Sequence, residues 1–332
     1  MTDGLTVSVI ICTRNRADTL EACLRSLESQ KPGANEILVI DNASEDCTEA
    51  LIASLAESVA HLRYVREETI GLSHARNRGL REARFAVVAY IDDDATAEPN
   101  WIRAILEAMQ DPSVACIGGR ITVGYPETRP AWLDRSFDAY LGYFDLGKSV
   151  CTTTEIRGGN FAVRRDIGLS VGGFDPALGY VDQALIGGEE VEFARRIRNA
   201  GGAVLYVPGA SVVHHVSEDR LNKSWFFRRT RGQGVANARA MPDRYTAGRA
   251  VRKLGDAWGE ALYARIRRNE VGAFRMACQS SSAQGVLDTS CRNRRALRIF
   301  CYIGAALLSI AVFLRRLLIA GFARMQRTVR GR

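Results

Sequence analysis

The sequence predicts an α/β fold, a Rossmann-like and mostly parallel sheet with helices on both faces, followed by a basic helical C-terminal region. Three observations lead there. Over the first hundred residues, runs of Val, Ile and Leu alternate with segments whose apolar residues recur at helical spacing. The apolar runs end in polar groups, TRNR (13–16), DNAS (41–44) and DDD (92–94), as ligand-binding edges of parallel sheets do. Charge divides sharply: residues 222–332 carry 23 Lys/Arg against 5 Asp/Glu, whereas 1–221 carry 22 against 32.

In chain order, TVSVIIC (6–12) is a buried strand. The segment 17–30 follows as a helix, because Leu20, Cys23, Leu24 and Leu27 share one face. EILVI (36–40), HLRYV (61–65) and FAVVAYI (85–91) are the next strands, separated by helices near 48–58 and 72–83. Pro99 opens the helix that runs to Met109. Val- and Ile-rich strands alternating with helices imply a parallel sheet covered on both faces. Residues 113–185 are less regular, rich in Gly and aromatics. GGEEVEFARRIRNAGG (187–202) is a helix with acids at its start and glycine at its end, and AVLYV (203–207) is a further strand.

Bulk properties narrow the class. At 332 residues with 47% hydrophobic and 25% charged residues, the chain can bury one large core or two smaller ones. Its eight cysteines form no CxxC pair, which favours reduced thiols in the cytoplasm. The N-terminus lacks the basic and long apolar regions of a signal peptide, so a cytoplasmic chain is expected. GxGxxG after the first strand and GxxxxGK[ST] are both absent, which removes support for dinucleotide enzymes and P-loop NTPases.

Several residues can carry chemistry. Asp92, Asp93 and Asp94 suit a hard divalent cation that keeps carboxylates and substrate phosphates as ligands; equally, acids ahead of Pro99 can cap a helix. Asp41 can accept hydrogen bonds from a ribose or base, or close an Asx-turn. Thr13 and Arg14 end the first strand, and Arg76 offers a planar fork to a phosphate or lies exposed on a helix. Glu189 and Glu190 can supply a general base or complement a helix dipole. His214 can complete a metal shell or serve structure alone.

Together, VSVIICTRNR, EILVIDNAS, GLSHARNRGL, YIDDDATAEPNW, GGNFAVRRD, VGGFDPALG, GGEEVEFARRI and ASVVHHVSEDRL, in this order, resemble the family 2 glycosyltransferases of the GT-A fold. The likeness is greatest to bacterial enzymes that build surface polysaccharides and exopolysaccharides. It implies inverting, divalent-metal-dependent sugar transfer from a nucleoside-diphosphate sugar to a saccharide or polyprenyl-linked acceptor. Thr13, Arg14, Asp41 and Asn42 would hold base and ribose, with Arg76 nearby. Asp92 would touch the nucleotide and Asp94 the metal, Mg2+ or Mn2+, with Asp93 between them and His214 on the metal or diphosphate side. Gly158, Gly159 and Asn160 would line the acceptor side. The family's base is usually the Asp of a Glu-Asp pair. Here Glu190 takes that position with a side chain one methylene longer, and the choice between Glu189 and Glu190 stays open. The implied layout is a catalytic domain over 1–221, its nucleotide-binding half about 1–111 and its acceptor half about 112–221, then a basic tail over 222–332.

IFCYIGAALLSIAVFL (299–314) is uncharged, flanked by arginines and continued by LLIAGF. Residues 296–322 could therefore insert in a membrane, lie on its surface or pack as a core helix. The basic tail favours an anionic cytoplasmic leaflet. Two other classes remain: a catalytically inactive nucleotide-sugar binder or scaffold, and a nucleic-acid binder acting through the tail. The second gives the acidic strand end no purpose, and no nucleic acid is expected.

Overall fold

The computed structural model describes residues 4–126, 129–181, 185–292 and 295–330, with 295, 296 and 321–330 as backbone only. The chain forms two compact units. The first comprises Met1–Thr128, Ser136–Gln183 and Gly187–Arg220; the second comprises Arg129–Arg135, Ala184–Ile186 and Leu221–Arg332.

The first unit opens with the anticipated alternation: β1 (Val7–Thr13), α1 (Ala17–Glu28), β2 (Glu36–Asp41), α2 (Thr48–Leu55), β3 (Leu62–Arg66), α3 (Leu72–Glu82) and β4 (Val87–Asp92). β5 (Ala95–Ala97), α4 (Trp101–Ala108), β6 (Val114–Gly124), β7 (Cys151–Thr152), β8 (Asn160–Arg164), α5 (Arg165–Ser170), α6 (Glu189–Asn199) and β9 (Ala203–His215) complete it. The nine strands form one sheet in the order β3-β2-β1-β4-β8-β6-β9-β5, with β7 paired to β9. β1 to β4 are parallel to one another, while β8 runs antiparallel to both β4 and β6. The sheet is thus parallel on one side and mixed on the other.

Alternation along each strand builds a core on both faces. Val7, Val9 and Ile11 of β1 join the apolar faces of α1, α2 and α4, whereas Ile10 joins Leu80 of α3 and Phe193 and Ile197 of α6. The sequence ended the last strand at residue 207, but β9 continues to His215. Its register against β6 shifts between Gly119 and Ile121, where residues 208–211 face Arg120, so the proline lies in a bulge and the pairing resumes at Val212.

The second unit is helical: α7 (Lys223–Ala240), α8 (Ala247–Ile266), α9 (Glu270–Ser290) and α10 (Arg295–Arg330). Trp132 belongs to it, meeting Phe226 and Phe274 edge-on at 5.6 and 5.1 Å between ring centroids. α8 and α10 run in parallel register. A Cβ on Gly255 would fall 2.6 Å from Leu308 Cβ, and one on Gly259 only 2.7 Å from the Ser309 carbonyl. Small residues spaced four apart let the backbones approach this closely. Leu297–Ala320 is long and apolar enough to cross a membrane. Most of it is uncovered, with Phe300 75% and Leu318 71% exposed.

Candidate active site

Parallel pairing in register sets the strand ends side by side. Thr13 lies opposite Asp41, and Cys12 opposite Asp92. The chain then reverses through Asp93 and Asp94 into β5, which pairs antiparallel with β9 and sets His214 opposite Ala95. The aspartates therefore do not cap the next helix, which starts only at Trp101 after Asn100. His214 Nε2 lies 3.1 Å from Asp94 Oδ1.

The three aspartates differ. Asp92 is the open one, its side chain 38% exposed and 3.7 Å from Arg76 Nη2. Asp93 is buried; its Oδ2 accepts the Thr13 hydroxyl at 2.7 Å and its Oδ1 accepts Arg16 Nη1 at 2.8 Å. Burial pushes its carboxyl up to about 6, with Arg16 pulling down and Asp94 pushing up. Asp94 is also buried, and its Oδ2 accepts both Arg16 Nη1 at 2.8 Å and Arg220 Nη2 at 3.0 Å. Burial opposes its charge, yet His214, Arg220 and Arg16 together hold it well below the usual carboxylate range. Burial likewise opposes charge on His214, and Asp94 outweighs it, raising the imidazole above its ordinary value.

Arg76 joins this corner to α6. Its guanidinium is enclosed, pairs with Glu189 Oε1, donates to the Gly158 carbonyl at 2.9 Å and approaches Asp92. Gly158 and Gly159 make room for it: a Cβ on Gly158 would sit 2.5 Å from Arg76 Nη2, and one on Gly159 only 2.7 Å from Asp92 Oδ2. Gly188, at φ +99°, turns the chain into α6, so that Glu189 and Glu190 occupy its first turn. Burial and then Glu190 push the Glu189 carboxyl up to about 7, against the pull of Arg76. Glu190 is half-buried and, among the described residues, makes no side-chain hydrogen bond or ion pair.

Other expected residues sit differently. Asp41 is fully buried; its Oδ2 accepts Tyr64 Oη at 2.7 Å and Arg66 Nη1 at 3.3 Å, and its Oδ1 accepts the Ser44 N–H at 2.9 Å. Asn42 donates to the Glu67 and Thr69 carbonyls and accepts the Gly71 N–H. Both tie loops together at the strand edge, with Arg14 half-buried beside Thr13. Asn160 is a correction. It does not line an acceptor surface but is fully buried, its amide donating to the Arg120 and Ala210 carbonyls and accepting Trp101 Nε1, all at 2.8 Å. A strand buried on both faces leaves an amide there no route to solvent. Arg16 and Arg220 went unremarked as site residues in the sequence; an arginine in TRNR beside three aspartates was the available signal for the first.

Asp92, Asp94 and His214 offer two carboxylates and an imidazole, donors that suit Mg2+ or Mn2+ when substrate phosphates complete the shell. Both guanidiniums on Asp94 fall on Oδ2, leaving Oδ1 toward His214. Among the described residues no three such side chains already converge on one point. The set fits a cation held jointly with a diphosphate.

The family description Glycosyl transferase family 2 matches residues 8–169, from β1 through α5. The protein is a glycosyltransferase with a family 2 domain. Succinoglycan biosynthesis protein ExoM of Rhizobium meliloti is 28% identical to this glycosyltransferase over 91% of the chain and 92% of its own length. Glucosyl-dolichyl phosphate glucuronosyltransferase of Haloferax volcanii is 26% identical over 69% of the chain and 75% of its length. Among solved structures, the mannosyltransferase PcManGT of Pyrobaculum calidifontis, in complex with GDP-Man and Mn2+, superposes with a TM-score of 0.55. It covers 96% of the glycosyltransferase chain and 86% of its own at 20% identity, a likeness of fold.

Proposed function

We propose that this glycosyltransferase moves a sugar from a nucleoside-diphosphate sugar to a hydroxyl of a saccharide acceptor, with inversion and with Mg2+ or Mn2+, in surface polysaccharide synthesis. The observation that carries this reading is Arg76, which ties Asp92 at the end of β4 to Glu189 at the start of α6. It thereby ties the acidic strand end to the turn bearing Glu190. The names of the two curated relatives, and the GDP-Man and Mn2+ of the structural one, support the substrate class and the metal.

Asp92, Asp94 and His214 would hold the cation, with Thr13, Arg14, Asp41 and Asn42 shaping the nucleotide side. When bound, the cation supplies Lewis-acid stabilisation of the departing diphosphate. Glu190, which among the described residues makes no side-chain hydrogen bond or ion pair, takes the proton of the acceptor hydroxyl as that oxygen attacks the anomeric carbon. The bond from that carbon to the diphosphate breaks on the opposite side. Glu189, engaged with Arg76, fixes the turn that aims Glu190. One displacement with one base inverts configuration; a covalent glycosyl-enzyme would need a carboxylate nucleophile instead.

The uncovered apolar face of α10 and the basic charge of 222–332 support a location at the inner face of the cell membrane, where a polyprenyl-linked acceptor is accessible. The purified protein, given UDP-, GDP- and dTDP-sugars with or without Mn2+, should release one nucleoside diphosphate in a metal-dependent way. NMR of the product should show an anomeric configuration opposite to that of the donor. Release of none, or retention, overturns the reading.

A further inference from the structure

The acidic corner is already balanced by side chains. Asp92, Asp93 and Asp94 bring three carboxylates together, and three guanidiniums meet them: Arg76 at 3.7 Å from Asp92, Arg16 at 2.8 Å from both Asp93 and Asp94, and Arg220 at 3.0 Å from Asp94. A divalent cation approaching Asp94 alone therefore meets two fixed positive groups on the same carboxylate. In a buried site such repulsion is poorly screened. A nucleoside diphosphate changes the balance, because its phosphate oxygens give a guanidinium a bidentate partner and give the metal further oxygen ligands.

The two arginines are not equivalent. Arg16 Nη1 bridges Asp93 and Asp94 from the turn after β1 and is held twice. Arg220 ends a single 3-10 turn, Glu218–Arg220, just past β9; its guanidinium makes one bond to Asp94 and stands 3.2 Å from His214 Nε2. It touches both Asp94 and His214, two of the groups that would hold the metal, whereas Arg16 touches only Asp94 of them.

We propose that Arg220 occupies the metal's place at Asp94 in the nucleotide-free enzyme and swings onto the donor's diphosphate when metal and nucleotide arrive, so that the two bind cooperatively. Arg220 is thus a donor-binding residue that also competes with the metal for Asp94. The proposal rests on the reading that a divalent cation binds at Asp94. Linkage makes the coupling reciprocal: whatever factor the nucleotide adds to metal affinity, the metal adds to nucleotide affinity.

Mn2+ binding to the full chain, followed by calorimetry and by Mn2+ EPR, tests it without recourse to turnover. Nucleotide-free Arg220→Gln should bind Mn2+ about 10-fold more tightly than wild type, a coupling of ordinary size for linked sites. The gain in Mn2+ affinity on adding UDP or GDP should shrink by the same factor, and Arg220→Lys should behave like wild type in the nucleotide-free state. Asp94→Asn should lose Mn2+ in every condition, with circular dichroism confirming that each variant is folded. Arg220→Gln binding Mn2+ no more tightly than wild type, while wild type binds it with UDP or GDP present, overturns the exchange and leaves the metal reading standing. Wild type that binds no Mn2+ with either nucleotide overturns both.

Discussion

Arg76→Met removes the cation from an enclosed pair in which the Arg76 and Glu189 side chains are only 3% and 4% exposed. Removing one partner of a buried ion pair costs roughly 3–5 kcal/mol, because the other charge stays behind unpaired. The orphaned Gly158 carbonyl adds to this. Protonation limits the loss: Glu189 already sits near 7, so without Arg76 it turns neutral at modest cost. About 3 kcal/mol at pH 7 is expected, which for a unit of this size lowers Tm by roughly 6–12 °C. The pH dependence has a definite sign. A carboxyl whose folded pKa is raised contributes its stability in acid and loses it as pH rises through that value. The deficit of Arg76→Met should therefore widen between pH 5 and pH 8. Glu189→Gln in the same chain should recover about 2 kcal/mol or more, read by differential scanning calorimetry as a double-mutant cycle. A Tm shift below about 2 °C, a deficit indifferent to pH, or no recovery from the second change refutes the bridging role given to Arg76.

Glu190→Gln should lower the transfer rate by roughly 10²–10⁴-fold while nucleotide-sugar affinity stays within about twofold; retained turnover would remove Glu190 as base. Glu36, buried at the start of β2, accepts the Ser8 hydroxyl at 2.7 Å and the Arg84 N–H at 3.1 Å and pairs with Arg63. Burial opposes its charge, but these partners hold its pKa below the ordinary value, so its contribution is present above about pH 4.5 and fades as pH falls. Glu36→Gln should cost roughly 1.5–3 kcal/mol at pH 7 and clearly less at pH 4, as urea titrations at both pH values will show. Replacing Phe300, Leu307 and Leu318 with Gln leaves the Gly255 and Gly259 contacts in place and should move the protein from the membrane pellet to the supernatant on centrifugation. An unchanged distribution would refute attachment through α10.

The parallel half of the sheet was legible because it follows from local pattern. Apolar runs of β1, β2 and β4 stop at Thr13, Asp41 and Asp92, and register alone aligns those ends. The mixed half was not. β8 is five residues long, and the path of β6 and β9 depends on pairings across 88 to 91 residues. The apolar run AVLYV ends at residue 207, whereas β9 passes Pro208 through a bulge and continues to His215. At the site, residue types were visible but partners were not. Asp94 meets Arg16 across 78 residues and Arg220 across 126, separations that no periodicity records. The acceptor-side place of Asn160 came from the family resemblance alone, and only the packing of Trp101 and the Arg120 and Ala210 backbone draws its amide inward.

The glycine notches on α8 carry a consequence for α10. With Gly255 against Leu308 and Gly259 against Ser309, and with Glu260 paired to Arg316, one flank of the apolar helix is occupied by protein along much of its length. Acyl chains can wet only its outer side. A bilayer that received this helix would therefore have to take it flank-on or pry it from its neighbour, and in the first case α8 would stay on the side turned away from the acyl chains.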